Sequence, residues 1–384
     1  MKNKNSPKFK LISRKPKRRE APISASRHVG RNIIKSFSVL FAFLFVLVAT
    51  LLTAIWVMVR GPSPTMQQLF VLTVKETSAV GFLADIFLND HEVESILSYT
   101  EYDGDFAEVT DPSLITITMP APTDSPFIFA DSGNEFVYDP NFGDGDINHD
   151  DFDNSLIELV EVRSNSCKGY MMIVHDPKRI YIGAPNSFGG MGVRLADKIR
   201  EDGAVGGING GGFNDPDGQG LGGTPEGLVI MDGIVRWTTG GGWWGDTIIG
   251  FDADGILHVG SFSVEEAVDL NMQWAVNFGP ALIINGSALP YRASGISPRT
   301  AIGQRADGAV LLLVIEGRQG DTLGASMEDL KRIFLEFEAV NAANLDGGSS
   351  TMMVYEDKLL IRSASIYGPR HLATSFLVRN TEEY

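Results

Sequence analysis

The sequence predicts an α+β protein, a mixed β-sheet domain with a few packed helices, preceded by a single N-terminal transmembrane helix. Three observations point there. Residues 37–59 form a stretch of 23 residues without a charge. From residue 156 onward, short apolar runs alternate with Asp-Gly and Asn-Gly dipeptides suited to hairpin turns. Only two segments in that region combine a capping pattern with helical apolar spacing. A chain of 384 residues with 43% hydrophobic content easily supports a large core. Its single cysteine, Cys167, rules out a disulfide-built scaffold.

Charge is divided along the chain. Residues 1–36 hold twelve Lys/Arg and one acid, Glu20, whereas residues 61–384 hold nineteen Lys/Arg against forty-seven Asp/Glu, a net −28. A domain of that sign repels phosphate backbones, so nucleic acid is excluded as its partner. At about 1.5 Å per residue, the uncharged stretch 37–59 reaches roughly 35 Å, enough to span a lipid bilayer. It is too long for a signal-peptide core and no small-residue cleavage site follows, which favours an uncleaved anchor. The Lys/Arg excess on the N-terminal side predicts a cytoplasmic tail (1–36) and an extracytoplasmic remainder in the cell membrane.

Residues 60–100 read as a helical juxtamembrane segment, either a stalk or a packing element, with Pro62 and Pro64 at its start. Residues 101–155 are rich in Asp, Pro and Gly and read as an acidic linker or long loop. Within them Asp144, Asp146, Asn148 and Asp150 alternate like calcium ligands. His149 stands where an EF-hand loop needs Gly, however, and Ser155 where it needs Glu, so a solvated acidic turn is expected. The folded domain is expected over 156–384. Its strand-like runs are 169–174, 227–231, 247–251, 281–284 and 309–315. One helix is capped by Ser326 and Asp329 and presents Met327, Leu330, Ile333, Phe334 and Phe337 on one face. A shorter one opens with the capping pair Ser263 and Glu266.

Four patches carry candidate chemistry. Residues 206–223 contain nine glycines, and their polar members Asn209, Asn214, Asp215 and Glu226 just beyond suit sugar hydroxyls; a plain surface loop is the alternative. No strand leads directly into its G-x-G-x-x-G, which argues against a dinucleotide site. Residues 277–286 place Asn277 and Asn285 around a strand, with a bend at Gly279-Pro280. Arg299 precedes one strand and Arg318 follows another that ends near Glu316. The two arginines are either surface charges or a bidentate phosphate clamp. Last, Asp346 ends a strand before Gly347, Gly348 and Ser349. It either holds that turn or serves as acid, base or nucleophile. There is no G-x-S-x-G and no H-E-x-x-H.

Taken in order, these patches resemble the phosphodiester glycosidase family, whose bacterial members are often labelled exopolysaccharide biosynthesis proteins. The resemblance runs over about 165–380. It rests on residues 208–213, 225–233, 279–286, 299–303, 324–330 and, above all, the run NLDGGSSTM at 344–352. Two positions depart from the pattern, Gly212 where an aromatic residue is frequent and Glu316 where Asp is common. The resemblance implies hydrolysis of a sugar-1-phosphodiester at the anomeric bond; no cofactor is expected, and the acidic surface leaves a metal open without a ligand set in the sequence. It implies Asp346 as first catalytic candidate, Glu316 as second and Glu226 as third. Asn209 and Asn285 would hold sugar hydroxyls, and Arg299 and Arg318 the phosphate. Gly210, Gly211, Thr300, Gly347, Gly348 and Ser349 complete the expected substrate site. With the anchor at 37–59, the expected substrate is a sugar-phosphate-containing glycan of the cell envelope or an exopolysaccharide. A non-catalytic glycan-binding or envelope-assembly module on the same fold is the competing expectation.

Overall fold

The computed structural model describes residues 23–77, 80–98, 109–120, 156–163, 167–215, 221–239, 247–290, 294–365 and 368–380. The N-terminal part of the basic tail, most of the acidic linker and the Asp144–Asp150 turn lie outside the described residues. The chain divides into two units, residues 1–58 and 59–384. The first holds the helix Ile23–Arg60, of which residues 34–60 are long and apolar enough to cross a membrane. Within it the hydroxyls of Ser38, Thr50 and Thr53 donate back to the carbonyls four residues earlier. An apolar surrounding therefore meets no unsatisfied donor from them.

The second unit begins with three short helices where a stalk or a packing element is expected. Ser63 caps Pro64–Lys75, and Phe82–Phe87 and Asp90–Ser98 pack beside it. Rather than standing clear of the domain, the first of them lies against it. Gly295 abuts the Leu72–Thr73 backbone so closely that a Cβ would sit 2.8 Å from it, and the Ile296 N–H donates to the Thr73 hydroxyl at 3.1 Å.

Three large β-sheets and two two-stranded ones follow among the described residues. A seven-stranded sheet has the order 157–163, 168–174, 310–316, 299–305, 339–345, 281–284, 287–288. A five-stranded sheet runs 257–261, 247–252, 272–277, 228–231, 234–238, and another 358–359, 353–355, 206–209, 375–378, 180–183. The α+β class is as expected, but every strand pairing in these sheets is antiparallel, not mixed. The reason is local: tight turns return the chain directly, whereas a parallel pair needs a long crossover. Asp232-Gly233 and Asn285-Gly286 both have positive φ at both residues, which only such dipeptides adopt at little expense.

The three large sheets enclose one core and each is backed by one helix. Ile157, Met172, Leu312, Ile249, Phe251, Ile208 and Phe376 meet in the centre, drawn from all three sheets. Strand Val310–Glu316 is buried on both faces: Leu312 and Val314 point into this core, Leu311, Leu313 and Ile315 into a second beneath helix Met327–Glu336. That is why its sequence is a continuous apolar run instead of an alternation. Helices Leu195–Asp202 and Val264–Asp269 cover the other two sheets through Leu195, Ile199 and Ala267. Both expected capping boxes form, Ser263 with Glu266 and Ser326 with Asp329.

Phe334 fills the space over Gly303, where a Cβ would lie 2.8 Å from its ring. Phe334→Ala is expected to lower stability by about 3–5 kcal/mol in a urea titration of the solubilised chain. Leu335→Ala, on the exposed side of the same helix, is expected to stay within about 0.5 kcal/mol. Equal effects of the two would contradict this packing.

Candidate active site

The site lies at the seam between the seven-stranded sheet and the sheet containing Gly206–Asn209. At that seam the chain leaves strand Ala339–Leu345 through Asp346, Gly347 and Gly348. Asn209 is fully buried and uses its whole amide there. Its Oδ1 accepts from the Thr300 hydroxyl at 2.7 Å and the Met352 N–H at 3.0 Å, and its Nδ2 donates to the Asp346 carbonyl at 2.5 Å. The Asp346 N–H in turn donates to the Gly210 carbonyl at 3.2 Å. Asn209 and Thr300 are thus bonded to one another, and Asn209 to the loop backbone.

Gly210 and Gly211 are glycines for steric reasons. The N–H groups of both reach Thr374, and a Cβ on either would come within 2.7 Å of Thr374 Oγ1 or the Asn277 carbonyl. Asn277 continues the stitching, accepting from the Leu228 N–H at 2.6 Å and donating to the Thr247 carbonyl at 3.1 Å. Glu226 is placed by its N–H donating to the Gly212 carbonyl at 2.9 Å. A Cβ at Gly212 would lie 3.4 Å from the Glu226 carboxylate and 3.0 Å from the Phe278 ring, so glycine there leaves the acid room.

Asp346 is half-buried, its carboxyl surrounded by protein yet keeping some opening to solvent. Burial, with the Glu226 charge adding to it, pushes this carboxyl up to about 6. The Ser350 hydroxyl, the Arg370 charge and the Gly347 N–H pull the other way. Arg370 is the cation of the site. It pairs with Asp215, donates to Ser350 Oγ at 3.0 Å and Ser349 Oγ at 3.4 Å, and lies over the Phe213 ring, 4.8 Å from its centroid. Two carboxylates of different environment beside an oriented guanidinium form an arrangement suited to acid–base or nucleophilic work on an anionic substrate.

The other expected residues are placed differently. Glu316 is buried and its carboxylate is taken by Arg362, through the backbone N–H at 2.9 Å and the guanidinium at 2.8 Å. Arg299 is 5% exposed and donates to the carbonyls of Ala325 and Gly295 and, at 2.8 Å, to the Glu76 carboxylate. Arg318 donates to the Glu76 carbonyl at 3.2 Å and lies against Gly348. Both arginines therefore converge on Glu76, Arg299 on its carboxylate and Arg318 on its backbone carbonyl. Gly348 adopts a φ of 60° and donates to the Pro298 carbonyl, and a Cβ at Gly347 would crowd that same carbonyl at 2.9 Å. Asn285 lies in the turn beside Asn341, at the opposite end of strand Ala339–Leu345 from Asp346. Five residues at about 3.3 Å put them roughly 16 Å apart. Its side chain accepts from the Asp111 N–H and donates to the Val109 carbonyl.

Sequence reasoning missed Arg370, Phe213 and Ser350 as site members and Glu76 as the partner of Arg299. Arg370 sits after Gly-Pro in a loop with no local motif, so nothing short of the fold brings it to Asp346. Among the described residues no three His, Cys, Asp or Glu side chains converge as a metal site.

Residues 202–379 match the family model for phosphodiester glycosidases. An N-acetylglucosamine-1-phosphodiester alpha-N-acetylglucosaminidase of Bos taurus is 27% identical over 185 residues, 43% of this chain and 34% of that protein. An uncharacterized prophage-derived protein of Bacillus subtilis is 28% identical over 144 residues, 35% of this chain and 22% of that one. The chain thus spans about a third or less of the length of these two relatives. A solved zebrafish structure, described as the catalytic domain of an N-acetylglucosamine-1-phosphodiester alpha-N-acetylglucosaminidase auto-inhibited by its pro-peptide, superposes with a TM-score of 0.49 at 21% identity. That superposition covers 59% of this chain and 82% of that one.

Because its folded pKa lies above the unfolded value, the Asp346 carboxylate weakens the fold above about pH 6 and ceases to do so as pH falls towards 4. Asp346→Asn is therefore expected to raise stability by about 1–3 kcal/mol near pH 7.5. The lower end reflects the solvent opening. The gain should vanish near pH 4, as read from urea titrations across pH. A constant difference at all pH values would contradict the assignment.

Proposed function

From a chain whose residues 202–379 belong to the phosphodiester glycosidase family, we propose a hydrolase that cleaves a sugar-1-phosphodiester at the anomeric C–O bond. The observation that carries this reading is the half-buried Asp346 carboxyl on the Gly347–Ser350 loop, near enough to Glu226 to feel its charge and with Arg370 held on the same loop by Ser349 and Ser350. Water adds its oxygen to the anomeric carbon while the bond to the phosphate oxygen breaks, and the phosphomonoester leaves with that electron pair. One carboxylate takes the water proton or attacks the carbon first. We assign this to Asp346, with Glu226 opposite. The leaving phosphate is already an anion, so a cation placed against it does more than a general acid. Arg370 meets that need, fixed by Asp215 and the two serines. Arg299 and Arg318 keep the Asp346–Gly348 loop seated.

We further propose that residues 37–59 anchor the chain in the cell membrane with the basic tail cytoplasmic, so that the domain works on a sugar-phosphate-containing envelope glycan or exopolysaccharide. The charge asymmetry and the apolar helix support this placement. Protease added to sealed, right-side-out cells is expected to shave residues 61–384 and leave an epitope in residues 1–36 intact. The reverse pattern would overturn the orientation.

The activity test uses the full detergent-solubilised chain and a panel of sugar-1-phosphodiesters, with free sugar and phosphomonoester quantified. Asp346→Asn is expected to lower kcat by about 10³-fold or more. Arg370→Ala is expected to lower kcat/KM by about 10²–10³-fold. With Asp346 acting ionised, kcat/KM should rise with pH up to about 6 and then level off. Undiminished turnover in folded Asp346→Asn would move the centre elsewhere. Binding without release from any diester would replace the hydrolase with a glycan-binding module.

A further inference from the structure

Strand Ser375–Val378 runs from the candidate site to a different feature of the surface. Ser375 faces Asn209 and Val378 faces Gly206, so Arg379 lies roughly 13 Å beyond the Asn209 end of that strand. There it joins Lys178, Gln273, Trp274 and Asp252 around a cleft of about 370 Å³. The Arg379 guanidinium is held over the Tyr181 ring at 4.4 Å and the Trp274 ring at 5.7 Å. Among the described residues no carboxylate pairs with Arg379 or with the exposed Lys178 ammonium. Elsewhere in this acidic domain Arg299, Arg305, Arg362, Arg370 and Lys198 all have carboxylate partners. The one carboxylate lining the cleft, Asp252, is already engaged. Its Oδ2 is 2.8 Å from His258 Nε2, and its Oδ1 accepts from the Asp254 and Ile256 N–H groups. Gln273 donates its amide to Asn271, which leaves its carbonyl oxygen available as an acceptor.

Two cations without a carboxylate partner among the described residues, one of them oriented by the Tyr181 and Trp274 rings, and an amide acceptor suit a glycosyl phosphate: charge-assisted hydrogen bonds to the phosphate oxygens and an acceptor for a sugar hydroxyl. We propose that this cleft is a second glycan subsite, one that takes a phosphate-bearing unit of a polymer whose diester is cut at Asp346. The proposal rests on the hydrolase reading for the identity of the polymer, but the binding itself does not require turnover. Such a subsite holds a long substrate on a domain whose net charge of −28 otherwise repels it, and it contributes nothing to a substrate of one unit.

The test is a calorimetric titration of the full solubilised chain carrying Asp346→Asn, which prevents turnover. The probes are a synthetic six-unit N-acetylglucosamine-1-phosphate oligomer and a one-unit methyl diester. Replacing both cations, Lys178→Ala with Arg379→Ala, is expected to weaken oligomer binding about tenfold and to flatten its dependence on salt. Binding of the one-unit diester should be unchanged. Lys178→Glu, a change at an exposed position that leaves the Arg379 ring contacts intact, is expected to weaken the oligomer as well. Equal oligomer affinity in all variants, or no oligomer binding to the parent chain, would overturn the proposal. Failure of the hydrolase reading would show separately, as absence of product from the one-unit diester in the unsubstituted chain.

Discussion

Asn209 sits at the end of its strand with no surface open to water, and its amide is divided among three other segments: Thr300, Met352 and the Asp346 carbonyl. A buried amide leaves little tolerance for a missing partner, because each unmet donor or acceptor carries its full desolvation penalty. The two sheets can therefore meet here in one arrangement, and that arrangement fixes where the Asp346 backbone stands. Gly210 and Gly211 permit it by letting backbone approach backbone where any side chain would collide. The candidate carboxylate is thus positioned by groups buried behind it.

Antiparallel register explains why so many charged residues crowd the same end of the seven-stranded sheet. Arg299 pairs opposite Ile315 and Thr300 opposite Leu345, so Arg299, Glu316 and Asp346 all emerge at one edge. Side-chain partners then separate them. Glu316 is neutralised by Arg362, and Arg299 by Glu76, as buried charges must be if they are to remain ionised. Asp346 has only a distributed set of neighbours: the Ser350 hydroxyl, the charge of Arg370 and the Gly347 N–H, with Glu226 opposing them. Burial that these neighbours only partly offset raises its proton affinity.

The contact between Glu76 and the Arg299–Arg318 pair gives the segment that contains helix Pro64–Lys75 a structural role. Thr73 and Glu76 bind the backbone of Ile296 and Gly295, just before the Pro298 whose carbonyl accepts from Gly348. The segment following the apolar helix is therefore built into the support of the Asp346 loop. A domain that lacked it would leave the buried Arg299 guanidinium without its carboxylate.

Much of the fold was legible in the residues because the signals are local. The capping pairs Ser263–Glu266 and Ser326–Asp329, the Asp-Gly and Asn-Gly turns and the apolar run 309–315 each act within a few neighbours. Asp346 and Glu226 were legible as candidates because a carboxylate beside clustered glycines stands out in a chain. Their company was not. Asn209 is bonded to Thr300, Met352 and the Asp346 carbonyl, and Glu316 to Arg362; Arg370 has no motif at all. Partner choice among polar groups depends on strand order and on which side chains reach one another across as many as 223 positions, as Glu76 and Arg299 do. By itself the sequence determined the α+β class, the apolar helix and the carboxylates worth testing, since periodicity and turn chemistry act at short range. Only the tertiary structure decided which charges are spent on one another and which stay free for a substrate, because burial and neutralisation are properties of the assembled sheets.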